Sequence, residues 1–321
     1  MKRIGFFTRL LDDVPAADRY RLALAQIVAA ERCGFDTAWV AQHHFHGGEG
    51  GLPSPFVFLA AAAAATTRIR LGTGIVTLPL EIPIRVAEDA AVFDLLSAGR
   101  LEAGMGPGGN MSAFTAFGLA SAGRHDLYRG HLQMLRDAWA GRALPGGDRL
   151  YPPALGLNAR IWQASFTVDG AGRAGADGDG LMLSRAQPRA PGQSLADVQN
   201  RMIDAYLAAL PAGHAPRILA SRTIFPTDDR VDAWRFAGLG LPREEVRKGK
   251  IPAPVADLVR DNDVHLGTVA DVVTSLSKDA TLARATDVSM QVHSIDPPHE
   301  FILRALELFA GEVAPAMRWS A

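Results

Sequence analysis

The chain has 321 residues, a formal net charge of -1, 48% hydrophobic and 21% charged residues. That composition excludes a disordered or fibrous chain. The near-neutral charge balance gives no basis for binding nucleic acid or an anionic membrane surface. The longest apolar run, 56–65, is mostly alanine and far short of a membrane span. Met1-Lys2-Arg3 leads straight into Ile4-Gly5-Phe6-Phe7, too short an apolar run for a secretion signal. The single cysteine, Cys33, sits beside Ala29, Ala30 and Gly34 and reads as a small buried side chain. A cytoplasmic location is the resulting expectation.

Strand-like and helical patterns then alternate along the chain. Ile4-Gly5-Phe6-Phe7-Thr8 reads as the first strand, and 15–33 as a helix stopped by Gly34. Thr37-Ala38-Trp39-Val40-Ala41 is the second strand, followed by an alanine-rich helix over 55–65. Residues 69–76 form the third strand. Pro83 opens the next helix, with Val86, Ala90 and Phe93 inward and Gly99 beyond its end. Residues 101–105 are the fourth strand, and 124–139 a helix. Strands follow at 160–164, 180–184, 217–225 and 288–292. Helices occupy 195–210 and 301–309, and another begins at Thr268, with Asp271 placed for a capping box.

Eight strands, each followed by a helix, predict a (β/α)8 barrel as one domain over 1–321; a doubly wound open sheet is the competing arrangement. Two stretches, 141–158 and 227–265, are too long for plain connections. The second carries Trp234, Phe236 and a basic patch at Arg243, Arg247, Lys248 and Lys250. It reads as an extended insertion over the barrel mouth.

In such a barrel, chemistry sits just past the strand C-termini. The second strand ends in Gln42-His43-His44-Phe45-His46. Imidazole moves protons near neutral pH, so His43 and His44 are the candidate catalytic pair and His46 a surface imidazole. His44 and His46 could instead ligate a metal, with His293 and Asp296 as further donors, as in metal-dependent barrel hydrolases. Gly72-Thr73-Gly74-Ile75 puts two glycines inside a buried strand, which suits a flat ring lying against the backbone. Gly104-Met105-Gly106-Pro107-Gly108-Gly109 lacks the context of a dinucleotide fingerprint. A phosphate fits better at Ala164-Ser165-Phe166-Thr167-Val168-Asp169-Gly170, a hydroxyl-bearing turn that opens a helix, with Arg124 as counter-charge.

Together these segments resemble the bacterial luciferase-like flavin-dependent monooxygenases. The resemblance rests on 34–45, 70–79, 83–89 and 94–101, runs from the first strand to about residue 186, and resumes at Gly267-Thr268. It implies that His43 stands beside the flavin and that Gly74-Ile75 is a cis peptide against the flavin ring. It also places Gln42, Thr73, Gly106, Ala164, Ser165, Phe166, Thr167, Arg124, Leu183 and Ser184 around the cofactor. Family members often have an acidic residue where this chain has Gln42, and some an arginine where it has Pro107. The implied reaction uses reduced FMN, from a separate flavin reductase, and O2 to oxygenate a small organic substrate, in a homodimer. The alternatives are an F420-dependent hydride-transferring oxidoreductase, the metal-dependent hydrolase, and a flavin-binding barrel without turnover.

Overall fold

The alternating pattern closes into one sheet. The computed structural model describes residues 1–190 and 192–319. β1 (Arg3–Thr8) leads through α1 (Ala16–Arg32) to β2 (Thr37–Val40), and α2 (Pro55–Ala65) to β3 (Arg70–Thr73) with its short continuation β4 (Val76–Thr77). Then come α3 (Pro83–Leu96), β5 (Leu101–Gly106), α4 (Met111–Ala116) and α5 (Arg124–Trp139). The second half runs β6 (Ile161–Ala164), α6 (Val168–Ala176), β7 (Gly180–Leu183), α7 (Leu195–Ala209) and β8 (Ile218–Pro226). It finishes with α8 (Arg230–Arg247), α9 (Val255–Asp261), β9 (His265–Gly267), α10 (Val269–Leu276), α11 (Ala280–Arg284), β10 (Asp287–Gln291) and α12 (His299–Leu308).

Every strand pairing is parallel, in the order β10-β1-β2-β3-β5-β6-β7-β8, and β10 pairs with β8 to close the barrel. The open-sheet alternative is thereby excluded. β9 adds to β8 beyond the closed ring, through Ile224↔His265 and Phe225↔Leu266.

The local punctuation explains the element ends. Pro83 occupies the first turn of α3. Gly99 adopts φ +80 just past its end and donates its N–H to the Asp94 carbonyl, a left-handed stop that favours glycine. Thr268 and Asp271 make the expected capping box on α10. The inward residues Val86, Ala90 and Phe93 are buried, as are Ile302, Leu306 and Phe309 at the C-terminal end.

Two packed layers result. Most buried apolar side chains lie between the strands and the helices. A smaller cluster of Trp39, Trp162, Met182 and Leu219, with Phe7, Ile75 and Ala164, fills the barrel interior. Trp39 and Trp162 meet edge to face with centroids 5.7 Å apart. At the N-terminal end of the strands, Trp162 Nε1 donates to Glu102 Oε2 at 2.7 Å, Arg70 pairs with Glu102, and the Arg217 guanidinium lies 5.0 Å over the Trp162 ring. This end is a sealed floor, as barrel interiors generally are.

Several expectations need correction. The third strand is not continuous over 69–76; it breaks between Thr73 and Val76. The 227–265 stretch is not a long loop but carries α8 and α9 and ends in β9. The Asp229 side chain caps α8 through the Val231 N–H, and Ala233, Phe236, Ala237, Gly240 and Leu241 form its buried stripe. Gly238, Gly240 and Pro242 hide that helix from a propensity reading. The basic patch is neutralised locally: Arg247 pairs with Glu244 at 2.7 Å, Lys248 with Glu245 at 3.1 Å and Lys250 with Glu245 at 3.4 Å. The short helices α4 and α11 have no counterpart in the sequence reading. Among the described residues no helix is long and apolar enough to cross a membrane.

Candidate active site

The C-terminal strand ends converge on one mouth. The β3–β7 side is small and apolar. The Gly74–Ile75 peptide, where β3 breaks, is cis. A Cβ on Gly74 would lie 2.5 Å from Phe7 Cε2, and one on Gly106 would lie 2.3 Å from Ile75 Cδ1 and 3.5 Å from Ala164 Cβ. Carbon atoms normally approach no closer than about 3.5 Å, so a side chain at either place would require the Phe7 ring or the end of Ile75 to move. Phe7, Ile75 and Ala164, only partly buried where they pack on the interior cluster, form an apolar shelf at these strand ends.

Two residues expected at the cofactor, Gln42 and Thr73, brace this shelf. Gln42 donates to the Pro53 carbonyl at 3.1 Å and to Glu81 Oε1 at 2.7 Å, and accepts the Thr77 N–H at 2.7 Å. Its amide ties the end of β2 to β4 across the cis peptide. The Thr73 hydroxyl is fully buried, donating to the Gly104 carbonyl at 2.8 Å and accepting the Gly104 N–H at 2.9 Å. Leu183 ends β7. Residues alternate in and out along β7; Met182 faces the interior, and the Leu183 side chain packs in the outer core. Ser184 accepts the Ala186 N–H at 3.1 Å.

Around β6, the Thr167 side chain caps α6 by accepting the Gly170 N–H at 3.0 Å, and Ser165 Oγ accepts the Thr167 N–H at 3.1 Å. Phe166 is exposed beside this turn. Arg124, at the start of α5, donates to the Ser121 carbonyl at 3.1 Å, while its Nε is buried with no hydrogen-bond partner among the described residues. The neighbouring His125 has its pKa lowered by burial and then by Arg124 and Arg173, so the start of α5 and α6 share a positive field.

The opposite side of the mouth is charged. His43 Nε2 lies 3.1 Å from an Arg9 guanidinium nitrogen, and its backbone N–H donates to the Leu52 carbonyl at 2.9 Å. Arginine can only donate, so Nε2 is the acceptor and Nδ1 carries the proton. Burial, then Arg9 and then His293, pushes the His43 pKa down to about 3, and the ring is neutral. Gly50 closes over it: a Cβ there would lie 2.4 Å from His43 Cδ2.

His44 takes a different direction, edge-on to Phe117 with centroids 5.0 Å apart, its Nε2 buried and without a hydrogen-bond partner among the described residues. His46 lies 3.1 Å from Ser112 Oγ. No three His, Cys, Asp or Glu side chains among the described residues gather as a metal-ligand set, so the arrangement of donors does not support the His44/His46 metal reading.

Four further charged or polar groups meet here. His293, past β10, holds Asp296 Oδ2 at 2.8 Å through Nδ1. Arg185, past β7, donates to Gln291 Oε1 at 3.1 Å. Glu244 of α8 is bidentate to Arg247 at 2.7 and 2.8 Å and has its carboxyl held down to about 2, chiefly by that pairing acting against burial. Leu11, Arg19, Gly47, Gly240, Glu244 and His293 help to line an open cleft of about 210 Å³ under α8. Arg9 and Arg185 directly follow strand ends and were readable by that rule. Glu244 comes from α8, which the sequence reading missed.

The family model described as luciferase-like monooxygenase matches residues 4–282. The chain is 29% identical to a 4-hydroxyprotoasukamycin monooxygenase of Streptomyces nodosus subsp. asukaensis, covering 100% of this chain and 94% of that one. The crystal structure of the monooxygenase RslO1 from Streptomyces bottropensis superposes with a TM-score of 0.82 at 25% identity, over 98% of this chain and 99% of that one. The oxygenating constituent of 3,6-diketocamphane monooxygenase from Pseudomonas putida, in complex with FMN, superposes with a TM-score of 0.80 at 20% identity, over 98% of each chain. The chain belongs to the luciferase-like monooxygenase family.

Proposed function

We propose that the protein is a monooxygenase that takes reduced FMN from a separate reductase and uses O2 to oxygenate a small organic substrate. The observation that carries this reading is the glycine-walled shelf at Gly74–Ile75, with the neutral imidazole of His43 at the same mouth. A flat ring suits a wall of Phe7, Ile75, Gly106 and Ala164, where added side-chain atoms would collide. Its phosphate suits the start of α6, with Ser165 and Thr167 shaping the turn and the unpartnered Arg124 Nε supplying a donor. When bound, reduced flavin supplies the electrons that activate O2.

The chain's own groups do the remaining work. Gln42 and Thr73 hold the shelf in place through their backbone bonds. His43 accepts from Arg9 and, with a pKa of about 3, holds an extra proton only briefly. With Nε2 taken by Arg9, the group it can offer at the mouth is its Nδ1–H donor. α8 roofs the charged side and limits water there. An exposed apolar face made by Val57 of α2 with Ile82, Val92, Leu95 and Leu96 along α3 suits a second copy of the chain.

Ultraviolet–visible titration of purified protein with FMN and with F420 tests the cofactor. Tighter binding of FMN, together with O2 uptake in the presence of reduced FMN, is expected. Tighter binding of F420 would make the protein a hydride-transfer enzyme instead.

A further inference from the structure

We propose that His293 and Asp296 form a proton relay that ionises the phenolic hydroxyl of a small hydroxyarene substrate in the cleft under α8, with the positive field of Arg9 and Arg185 favouring the anion. The proposal deepens the monooxygenase reading and rests on it for the step that follows.

The relay is a built feature. Thr223 Oγ1 donates to the His293 carbonyl at 2.6 Å and fixes the backbone past β10. The Ile295 N–H returns to the Val292 carbonyl at 2.8 Å, and Asp296 takes the left-handed φ of +47, a conformation that aspartate tolerates better than most residues. The turn brings the Asp296 carboxylate back onto His293 Nδ1 at 2.8 Å. The other nitrogen, Nε2, is buried and has no hydrogen-bond partner among the described residues; His293 itself is 5% exposed and lines the cleft under α8. A buried nitrogen without a partner is costly, and an arriving hydroxyl would satisfy it. His43 cannot take this role, because its Nε2 is already occupied by Arg9.

The surroundings set the direction of transfer. Arg9 follows β1, His43 follows β2 and Arg185 follows β7. Arg243, Glu244 and Arg247 face the pair from α8. Glu244 Oε1 is 3.9 Å from His293 Nε2 and is committed to Arg247. Burial raises the Asp296 carboxyl to about 7, against the pull of Arg185 and Arg9. Above that pH the carboxylate accepts the Nδ1 proton and leaves a lone pair on Nε2.

The substrate O–H then gives its proton to Nε2 as the Nδ1 proton passes to Asp296. The imidazole ends neutral, the carboxyl is protonated, and the negative charge has moved from Asp296 to the substrate oxygen. That anion comes into the positive field that Arg9 and Arg185 exert on His293 and Asp296. A phenolate ring is more electron-rich than its phenol and is the form that an electrophilic oxygen attacks. The cleft of about 210 Å³ admits a molecule of one or two rings.

The probe is 4-cyanophenol, whose phenol and phenolate forms absorb at different wavelengths and which is mostly protonated at neutral pH. Difference spectra with the FMN-loaded protein are expected to show bound phenolate, with the probe's pKa lowered by about one pH unit or more. The phenolate fraction should rise as pH climbs through about 7, where Asp296 ionises. His293→Ala and Asp296→Asn should keep FMN binding and the native circular dichroism, and lose the phenolate band. In Asp296→Asn the probe should still bind, and the step near pH 7 should vanish. A wild-type protein that binds the probe only as phenol, or not at all, overturns the proposal, as does a phenolate band unchanged in both variants. The same spectra on FMN-free protein keep the two readings apart: failure to bind FMN breaks the monooxygenase reading, while the phenolate band of the FMN-free protein still reports on the relay.

Discussion

The two sides of the barrel mouth obey opposite rules. On the β3–β7 side, Gly74 and Gly106 stand where any added carbon collides with Phe7 or Ile75, and the polar side chains of Gln42 and Thr73 are consumed by backbone bonds. On the side formed by β10, β1, β2 and α8, titratable side chains crowd together, and four of them are displaced far from their ordinary range: His43 down to about 3, Glu244 down to about 2, Asp296 up to about 7 and His293 well below the usual imidazole value. One side fixes shape by omission of side chains. The other fixes charge by bringing side chains together. A reaction that needs a flat carrier and a managed proton can draw on both within one ring of strands.

That contrast can be broken experimentally. The largest expected effect belongs to the charged side: His43→Ala should lower turnover by about 10²–10⁴-fold, the range for a lost acid–base group, with FMN affinity nearly unchanged. Steady-state O2 uptake beside a flavin titration measures both, and full activity would remove His43 from the chemistry. Gly106→Val should do the reverse, since its side chain meets Ile75 at once. An FMN affinity about tenfold or more weaker, with the His43 titration unaltered, is the expectation; undiminished affinity would put the ring elsewhere.

Smaller effects sharpen the comparison. Arg9→Met removes a cation beside His43, so the imidazole pKa should rise by about one unit in an NMR titration. It should stay below 6.5, because burial is the larger cause. The sign for stability follows. The folded His43 refuses a proton that the unfolded chain accepts, so wild type loses stability as pH falls from 6.5 toward 3. Arg9→Met should lose less over that window in acid-denaturation curves. Thr167→Ala deletes the α6 cap and should cost about 1 kcal/mol in urea unfolding, with a slight weakening of FMN binding. An unchanged midpoint would mean that Ser165 alone holds the turn.

The shelf side was largely legible in the sequence, because glycines within a strand and hydroxyls before a helix are local signals. Gly74, Gly106, Ser165 and Thr167 all announce themselves within a few residues. The outward direction of the Leu183 side chain was not legible, because strand alternation depends on register, which a four-residue strand does not reveal by itself. The charged side was legible only in part. Three histidines past β2 marked His43 but could not say which imidazole turns inward; that depends on Arg9, Gly50 and Leu52 meeting it in space. Glu244 stayed hidden because α8 carries two glycines and a proline in its buried half, and its neighbours in sequence look like a solvated basic patch. The eight-strand pattern itself was clear, since parallel strands buried on both faces read as short apolar runs between helices.

The Trp39–Trp162 contact, with the Arg70–Glu102 pair beneath it, has a consequence for traffic. A molecule cannot leave through a packed floor, so arrivals and departures share one door. Guests that share a door must queue: whatever sits nearest α8 stands in the path of whatever lies on the shelf. With the proposed flavin as one of those guests, an excess of substrate occupying the doorway first would shut it out, and turnover would then fall, rather than level off, as substrate concentration rises.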